Sequence, residues 1–127
     1  MIIRGKEYKF LYTVRASLEI AKKLDGHNMQ SIQKVYQTMD QVKIMDLIVD
    51  MAIACNKAAV KAEAFENGTE FDESKVITRD LIEDLTVIEE NQLEDEVFKA
   101  ITEGNKTEIE TTPAKVPKGS KKNQGAK

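Results

Sequence analysis

The sequence is short of the side chains that nucleophilic catalysis uses most often. Its 127 residues include one histidine, one cysteine and no tryptophan. A single cysteine excludes a disulfide within the chain. A Cys–His pair would need His27, which lies in a predicted turn, to reach Cys55 in the middle of an apolar helical run. We therefore predict that Cys55 is a small core residue.

Motifs that hold phosphates and metal ions are also missing. The segments Arg-Gly-Lys and Lys-Gly-Ser-Lys-Lys lack the two glycines that a phosphate-binding loop places before its lysine. The acidic runs at 89–90 and 94–96 lack the alternating spacing and the glycine of an EF-hand. We interpret these runs as solvated helix faces. We expect no enzyme activity, no cofactor and no metal site.

Long hydrophobic runs are absent too. No stretch approaches the ~18–20 apolar residues of a membrane span. Charged residues appear at the N-terminus before an apolar segment of signal-peptide length can form. These two features predict a cytoplasmic protein that does not enter a membrane.

Charge is divided unevenly along the chain. Residues 104–127 contain six lysines and two glutamates, for a net charge of +4, and the formal total of −3 leaves −7 on residues 1–103. A duplex-binding domain needs a basic face on its folded part. We therefore do not expect nucleic acid as the partner, although a basic tail can contact it without sequence preference.

The N-terminus is predicted to form a two-stranded β-hairpin. Residues 1–3 and 7–12 have strand character, and Gly5 supplies the positive φ of a tight turn. The aromatic residues of the second strand share one face, which we expect to pack against helices. They are Tyr8, Phe10 and Tyr12.

Five helices are predicted after the hairpin, in a small, mostly α-helical domain over residues 1–103. They span about 14–25, 29–37 and 41–66, a short segment after Thr78, and about 87–103. We place Val14, Leu18, Ile20, Ala21 and Leu24 on the apolar face of the first helix. Thr13 is the predicted N-cap of the first helix, and the third begins either at a capping box formed by Thr38 and Gln41 or at Asp40 as N-cap. Thr86 and Glu89 have the spacing of a capping box, and Gly104 is expected to end the fifth helix. Residues 104–127, with two prolines and few apolar residues, are predicted to form a flexible, disordered basic tail.

The helix at 41–66 is unusual because it carries two apolar stripes. One contains Ile44, Leu47, Ile48, Met51, Cys55, Ala58, Ala62 and Phe65. The other contains Val42, Met45, Val49, Ile53 and Val60. A surface helix needs only one such stripe. The helix is therefore either packed on both sides at the centre of its own domain, or shared between the core and a partner.

The opening residues resemble a known protein family. The stretch MIIRGKEYKFLYTVRASLEIAKKLDG combines a strand, an Arg-Gly-Lys turn, an aromatic strand and a helix that ends in a charged residue plus glycine. This layout resembles the tail assembly chaperones of long-tailed, siphovirus-type bacteriophages. The local likeness covers residues 1–26, and the remainder to residue 103 is similar in helical character.

This resemblance implies a function without catalysis. Such chaperones bind the tape measure protein, a very long helical chain, and keep it soluble until the tail tube protein displaces them. They act in the host cytoplasm and are absent from the mature virion. On this basis we expect the second stripe (Val42, Met45, Val49, Ile53 and Val60) to bind the partner.

Two further expectations complete the sequence-based interpretation. A two-stranded hairpin has unpaired edges, so we expect homo-oligomers that form through these edges or through apolar helix faces. The alternative function is that of a small helical regulatory or nucleic-acid-binding accessory protein that uses the lysine-rich tail. Binding through the tail would weaken steeply as salt rises, whereas apolar capture of a protein would not.

Overall fold

The protein is a helical domain that begins with a short β-hairpin, as predicted. The computed structural model describes residues 1–111, with side chains over 1–105, so most of the predicted tail lies outside the described residues. The strands are β1 (Ile2–Ile3) and β2 (Lys6–Glu7). The helices are α1 (Val14–Lys22), α2 (Ser31–Gln37), α3 (Gln41–Asn67), α4 (Arg79–Glu83) and α5 (Val87–Thr111). Two 3-10 helices, Asp25–His27 and Glu73–Lys75, lie between them.

The hairpin is shorter than predicted. Its strands pair antiparallel with Ile2 opposite Glu7, and the turn residues Arg4 and Gly5 have φ values of 53° and 81°. This backbone suits a tight hairpin turn, and glycine adopts it without strain. The prediction that the second strand reaches residue 12 is wrong. Residues 9–12, which we call the strap, run along α3 instead of pairing with another strand.

Side chains of the strap alternate as a strand would. Tyr8, Phe10 and Tyr12 pack on the core, whereas Lys9 and Leu11 are exposed. The predicted aromatic face is therefore confirmed. This face packs against helices. The strap's backbone bonds to groups of α3, namely the Cys55 carbonyl and the Asn56 side chain, where a strand would bond to a neighbouring strand.

Helix α3 is the centre of the domain. Asp40 caps its N-terminus by accepting hydrogen bonds from the backbone N–H groups of Val42 and Lys43, and Gly68 ends it in the left-handed conformation. Side chains from both predicted stripes are buried in one core cluster with α1, α4, α5 and the hairpin. The buried α3 residues are Leu47, Ile48, Val49, Met51, Ala52, Ala54, Cys55, Asn56 and Ala58.

Asn56 is a buried polar residue within this apolar helix, with 1 % of its surface exposed. Its Nδ2 donates to the Lys9 carbonyl at 2.8 Å, and its Oδ1 accepts from the Ile77 N–H at 2.6 Å. Beside it, the N–H of Leu11 donates to the Cys55 carbonyl at 3.0 Å. One side chain therefore fastens the strap and the segment before α4 to the middle of α3.

The first helix is shorter and rotated relative to the prediction. Thr13 caps it, since its Oγ1 accepts from the Ala16 N–H at 3.2 Å, as expected. The core-facing residues are Ala16 and Ile20, followed by Leu24. Placing Val14 and Leu18 on that face was wrong, because the buried residues recur every four positions on the other side of the helix.

The fifth helix begins as predicted and ends later. Thr86 and Glu89 form the reciprocal capping box, with hydrogen bonds of 3.0 and 3.2 Å between side chain and backbone. The helix does not end at Gly104. A β-carbon at that position would lie 2.8 Å from Cβ and the carbonyl oxygen of Tyr12. This glycine allows the strap to approach the helix closely, which is a packing role and not a helix stop.

We predict that Asn56→Ala destabilises the protein. The change leaves the Lys9 carbonyl and the buried Ile77 N–H without their partner, which costs about 2–4 kcal/mol for the two groups together. Urea denaturation measures the free energy of unfolding. The matched control is Asn91→Ala on the exposed face of α5, expected to change it by less than about 0.5 kcal/mol. Equal effects of the two substitutions would show that Asn56 does not fasten these segments.

Candidate protein-binding surfaces

The structure divides the predicted binding stripe of α3 between core and surface. Val42 is 70 % exposed in the first turn of the helix, whereas Val49 is 1 % exposed. Met45 and Ile53 are partly buried and pack against the core cluster. Val60 is partly buried and lines a cleft near the strap. The five residues do not form one continuous exposed face, because α3 is covered on both sides by other elements.

Large apolar side chains are exposed elsewhere on the described part of the chain. They are Ile2, Leu11, Val14, Leu18, Met39, Val42, Phe65, Val87 and Ile88. Single exposed apolar residues are ordinary on protein surfaces, and only neighbouring ones indicate a binding site. Three of them follow one another closely where the strap enters α1.

We call this group the α1 strip: Leu11, Val14 and Leu18, with the flanking cations Arg15 and Lys22. Val14 and Leu18 are 67 % and 57 % exposed and lie one helical turn apart. Leu11, 42 % exposed, precedes the helix, where the backbone bond to Cys55 fixes its position. The strip is therefore a small apolar surface on an ordered helix.

The cations of the α1 strip have no ion-pair partner among the described residues. Arg15 and Lys22 are exposed, and neither approaches a carboxylate as a salt bridge does. Glu19, one helical turn after Arg15, lies on the neighbouring part of the α1 surface and is 3.9 Å from Lys57 of α3. The sequence did contain a signal for this exposed face. Ala16, Ile20 and Leu24 are spaced four residues apart, which makes a separate core-facing side, and two cations lie beside Leu18.

Two clefts lie beside α3, and both have mixed charge. A cleft of about 340 Å³ opens between α1, α2 and α3, and Lys23 lies 4.0 Å from Asp50 at its wall. Burial raises the pKa of the Asp50 carboxyl. A second cleft of about 290 Å³ lies beside the strap, where Lys9 is 3.6 Å from Glu63. Neither cleft brings together residues with a defined chemical role.

The seam between α2 and α5 contains unpaired polar atoms. The Tyr36 hydroxyl and Glu90 Oε2 are buried and have no hydrogen-bond partner among the described residues. Burial, then the charges of Glu94 and Glu90, raises the pKa of Tyr36 to about 12. Burial and the charge of Glu94 one turn away raise the pKa of Glu90. Folding therefore makes ionisation of Glu90 less favourable than in the unfolded chain.

The two candidate nucleophilic residues are not placed together as a pair. His27 is exposed in a 3-10 helix, whereas Cys55 is fully buried in α3, where burial raises the pKa of its thiol to about 12. Among the described residues, no group of three or more histidine, cysteine, aspartate or glutamate side chains is arranged to hold a metal ion.

Comparison with known proteins does not assign a family. No protein-family model, curated protein or solved structure matches the chain. Within residues 1–111, no helix combines the length and the apolar character needed to cross a lipid bilayer.

We predict opposite outcomes for two valines of the predicted stripe. Val49→Glu places an unpaired carboxylate in the core, and we expect loss of the cooperative thermal transition in circular dichroism. Val42→Glu places the charge on the exposed first turn of α3, near the positive end of the helix dipole, and we expect a wild-type melting temperature or a slight increase. A wild-type transition for Val49→Glu would contradict the assignment of Val49 to the core.

We also predict that Glu90→Gln stabilises the protein at pH 7. Because folding raises the pKa of Glu90, the folded state binds this proton more tightly than the unfolded state. Ionisation above the folded pKa therefore lowers stability, and the neutral amide avoids that loss. Allowing for solvent screening, a gain of about 0.5 kcal/mol raises the melting temperature by roughly 2–4 °C.

The pH dependence checks this reasoning. The gain from Glu90→Gln is expected to shrink towards about pH 3.5, where the carboxyl is protonated in both states. Glu96→Gln, on an exposed face of the same helix, is the matched control. A gain that is independent of pH, or equal in the control, would show that ionisation of Glu90 is not its source.

Proposed function

We propose that this chain is a phage tail assembly chaperone that binds the tape measure protein, keeps it soluble and helps to recruit tail tube subunits. One observation carries the proposal beyond the resemblance of residues 1–26. Val14 and Leu18 remain exposed one turn apart on α1, with Leu11 exposed just before the helix, although the chain buries a contiguous core. A surface of this kind suits the capture of an apolar helix by a protein that needs no catalytic group.

Assembly and location belong to the same proposal. The chaperone acts in the host cytoplasm, leaves before the virion matures and forms homo-oligomers. With two residues in each strand, the hairpin offers a very short edge for pairing with another chain. An exposed helix face such as the one that carries Val42 is therefore the better candidate for self-association.

Co-expression tests the proposed function directly. We expect the tape measure protein encoded by the same phage to become soluble, and to co-purify, when the full chain is expressed with it. The control is Val49→Glu, which is expected to lose the fold. Persistence of the tape measure protein in the pellet, with the wild-type chain soluble in excess, would contradict the proposal.

Salt separates this function from the alternative. A regulatory or nucleic-acid-binding accessory protein that uses the lysine-rich tail would lose its complex steeply between low and high salt. Apolar capture of the tape measure protein is expected to survive the same change, and to survive removal of residues 112–127.

A further inference from the structure

We propose that the α1 strip is the docking site for one helix of the partner, whose apolar seam is flanked by carboxylates. The inference rests on the proposed function, since it specifies the surface and the partner chemistry of that binding. It assigns the role to Leu11, Val14 and Leu18, with Arg15 and Lys22 as the residues that select for acidic flanks.

The apolar part of the strip is already ordered for binding. Thr13 caps α1, and the N–H of Leu11 is bonded to the Cys55 carbonyl in the core, so the backbone on both sides of Val14 is fixed. Docking therefore loses little conformational entropy on the side of this chain. Val14 and Leu18 stand one turn apart, which matches the spacing of apolar anchors on a partner helix.

Charge decides which helix fits. At about 100° per residue, Arg15 and Lys22 lie on the same side of α1 as Leu18. Both cations lack an ion-pair partner among the described residues, although residues 1–103 carry a net charge of −7. A partner helix with glutamate or aspartate beside its apolar seam supplies the missing counter-charges, and a lysine-flanked helix is repelled.

Two other occupants fit the strip less well. A second copy that docked through the same strip would bring Arg15 and Lys22 of each chain towards one another. A membrane surface fits the strip poorly, because α1 spans only nine residues with two exposed apolar side chains. A carboxylate-flanked protein helix satisfies both the apolar and the basic parts of the strip.

Two designed peptides test the proposal with the full-length chain. Both are fluorescein-labelled helices with the same leucine seam, and their flanks carry either glutamate or lysine. Fluorescence anisotropy is expected to show at least tenfold tighter binding of the glutamate peptide. Leu18→Ser is expected to weaken that binding at least tenfold, and the double substitution Arg15→Glu, Lys22→Glu to reverse the preference.

Matched controls distinguish binding at the α1 strip from nonspecific hydrophobic binding. Phe65→Ser removes an exposed aromatic residue, 88 % exposed, at the far end of α3, and is expected to leave peptide affinity unchanged. Circular dichroism confirms that each variant is folded, and Val14→Ser replaces Leu18→Ser if the latter loses helicity. Equal affinity for both peptides, or full affinity after substitution of Leu18 or Val14, would overturn the proposal.

Further measurements distinguish the rival occupants and the underlying function. Binding of the wild-type chain to phosphatidylglycerol vesicles but not to the peptides, or a dimer in analytical ultracentrifugation that Leu18→Ser dissociates, would overturn the assignment to a partner helix. If Leu18→Ser still solubilises the tape measure protein, the docking site is wrong while the proposed function stands. If the wild-type chain fails to solubilise it but the peptide preferences hold, the proposed function is wrong and the acidic-helix site remains.

Discussion

The fold depends on how one amide side chain is satisfied inside an apolar helix. Asn56 lies in the middle of α3, where an unpaired amide would be costly, and its two polar atoms bond to the backbone of Lys9 and Ile77. These two residues are 47 and 21 positions from Asn56 in the sequence. Because they complete the hydrogen bonds of one buried group, the strap and the approach to α4 take fixed positions against the same stretch of helix.

This constraint explains why a helical protein begins with a hairpin. The hairpin is the leading end of the strap, and it carries Ile3 and Tyr8 into the core between the helices. At its turn, Arg4 lies 2.6 Å from Glu89 and donates to the Asp84 carbonyl at 3.2 Å, which connects it to the start of α5. Since this pair is exposed, it orients the turn more than it stabilises the fold. Gly104 then allows Tyr12 to approach the far part of α5.

Local signals in the sequence predict much of the fold, because they act within a few residues. The caps at Thr13 and Asp40 and the capping box at Thr86 are such signals, and the structure contains all three. Gly104 was wrongly predicted to end α5. A glycine is needed there because Tyr12, which is remote in sequence, packs closely against the helix. The candidate site is harder to predict. Val49 and Leu18 are both apolar residues on amphipathic helices, and only the packing of neighbouring elements determines that the first is buried and the second exposed.

The position of the α1 strip depends on the same contacts as the strap. The N–H of Leu11 bonds to the Cys55 carbonyl of α3, next to Asn56, which bonds to Lys9. Native-state hydrogen exchange tests this account most directly. The amides of Leu11 and Ile77, bonded to Cys55 and Asn56, are expected to exchange only with global unfolding, at the same free energy as the amide of Met51 in the core of α3. Fast exchange at Leu11 and Ile77, with Met51 still fully protected, would contradict it.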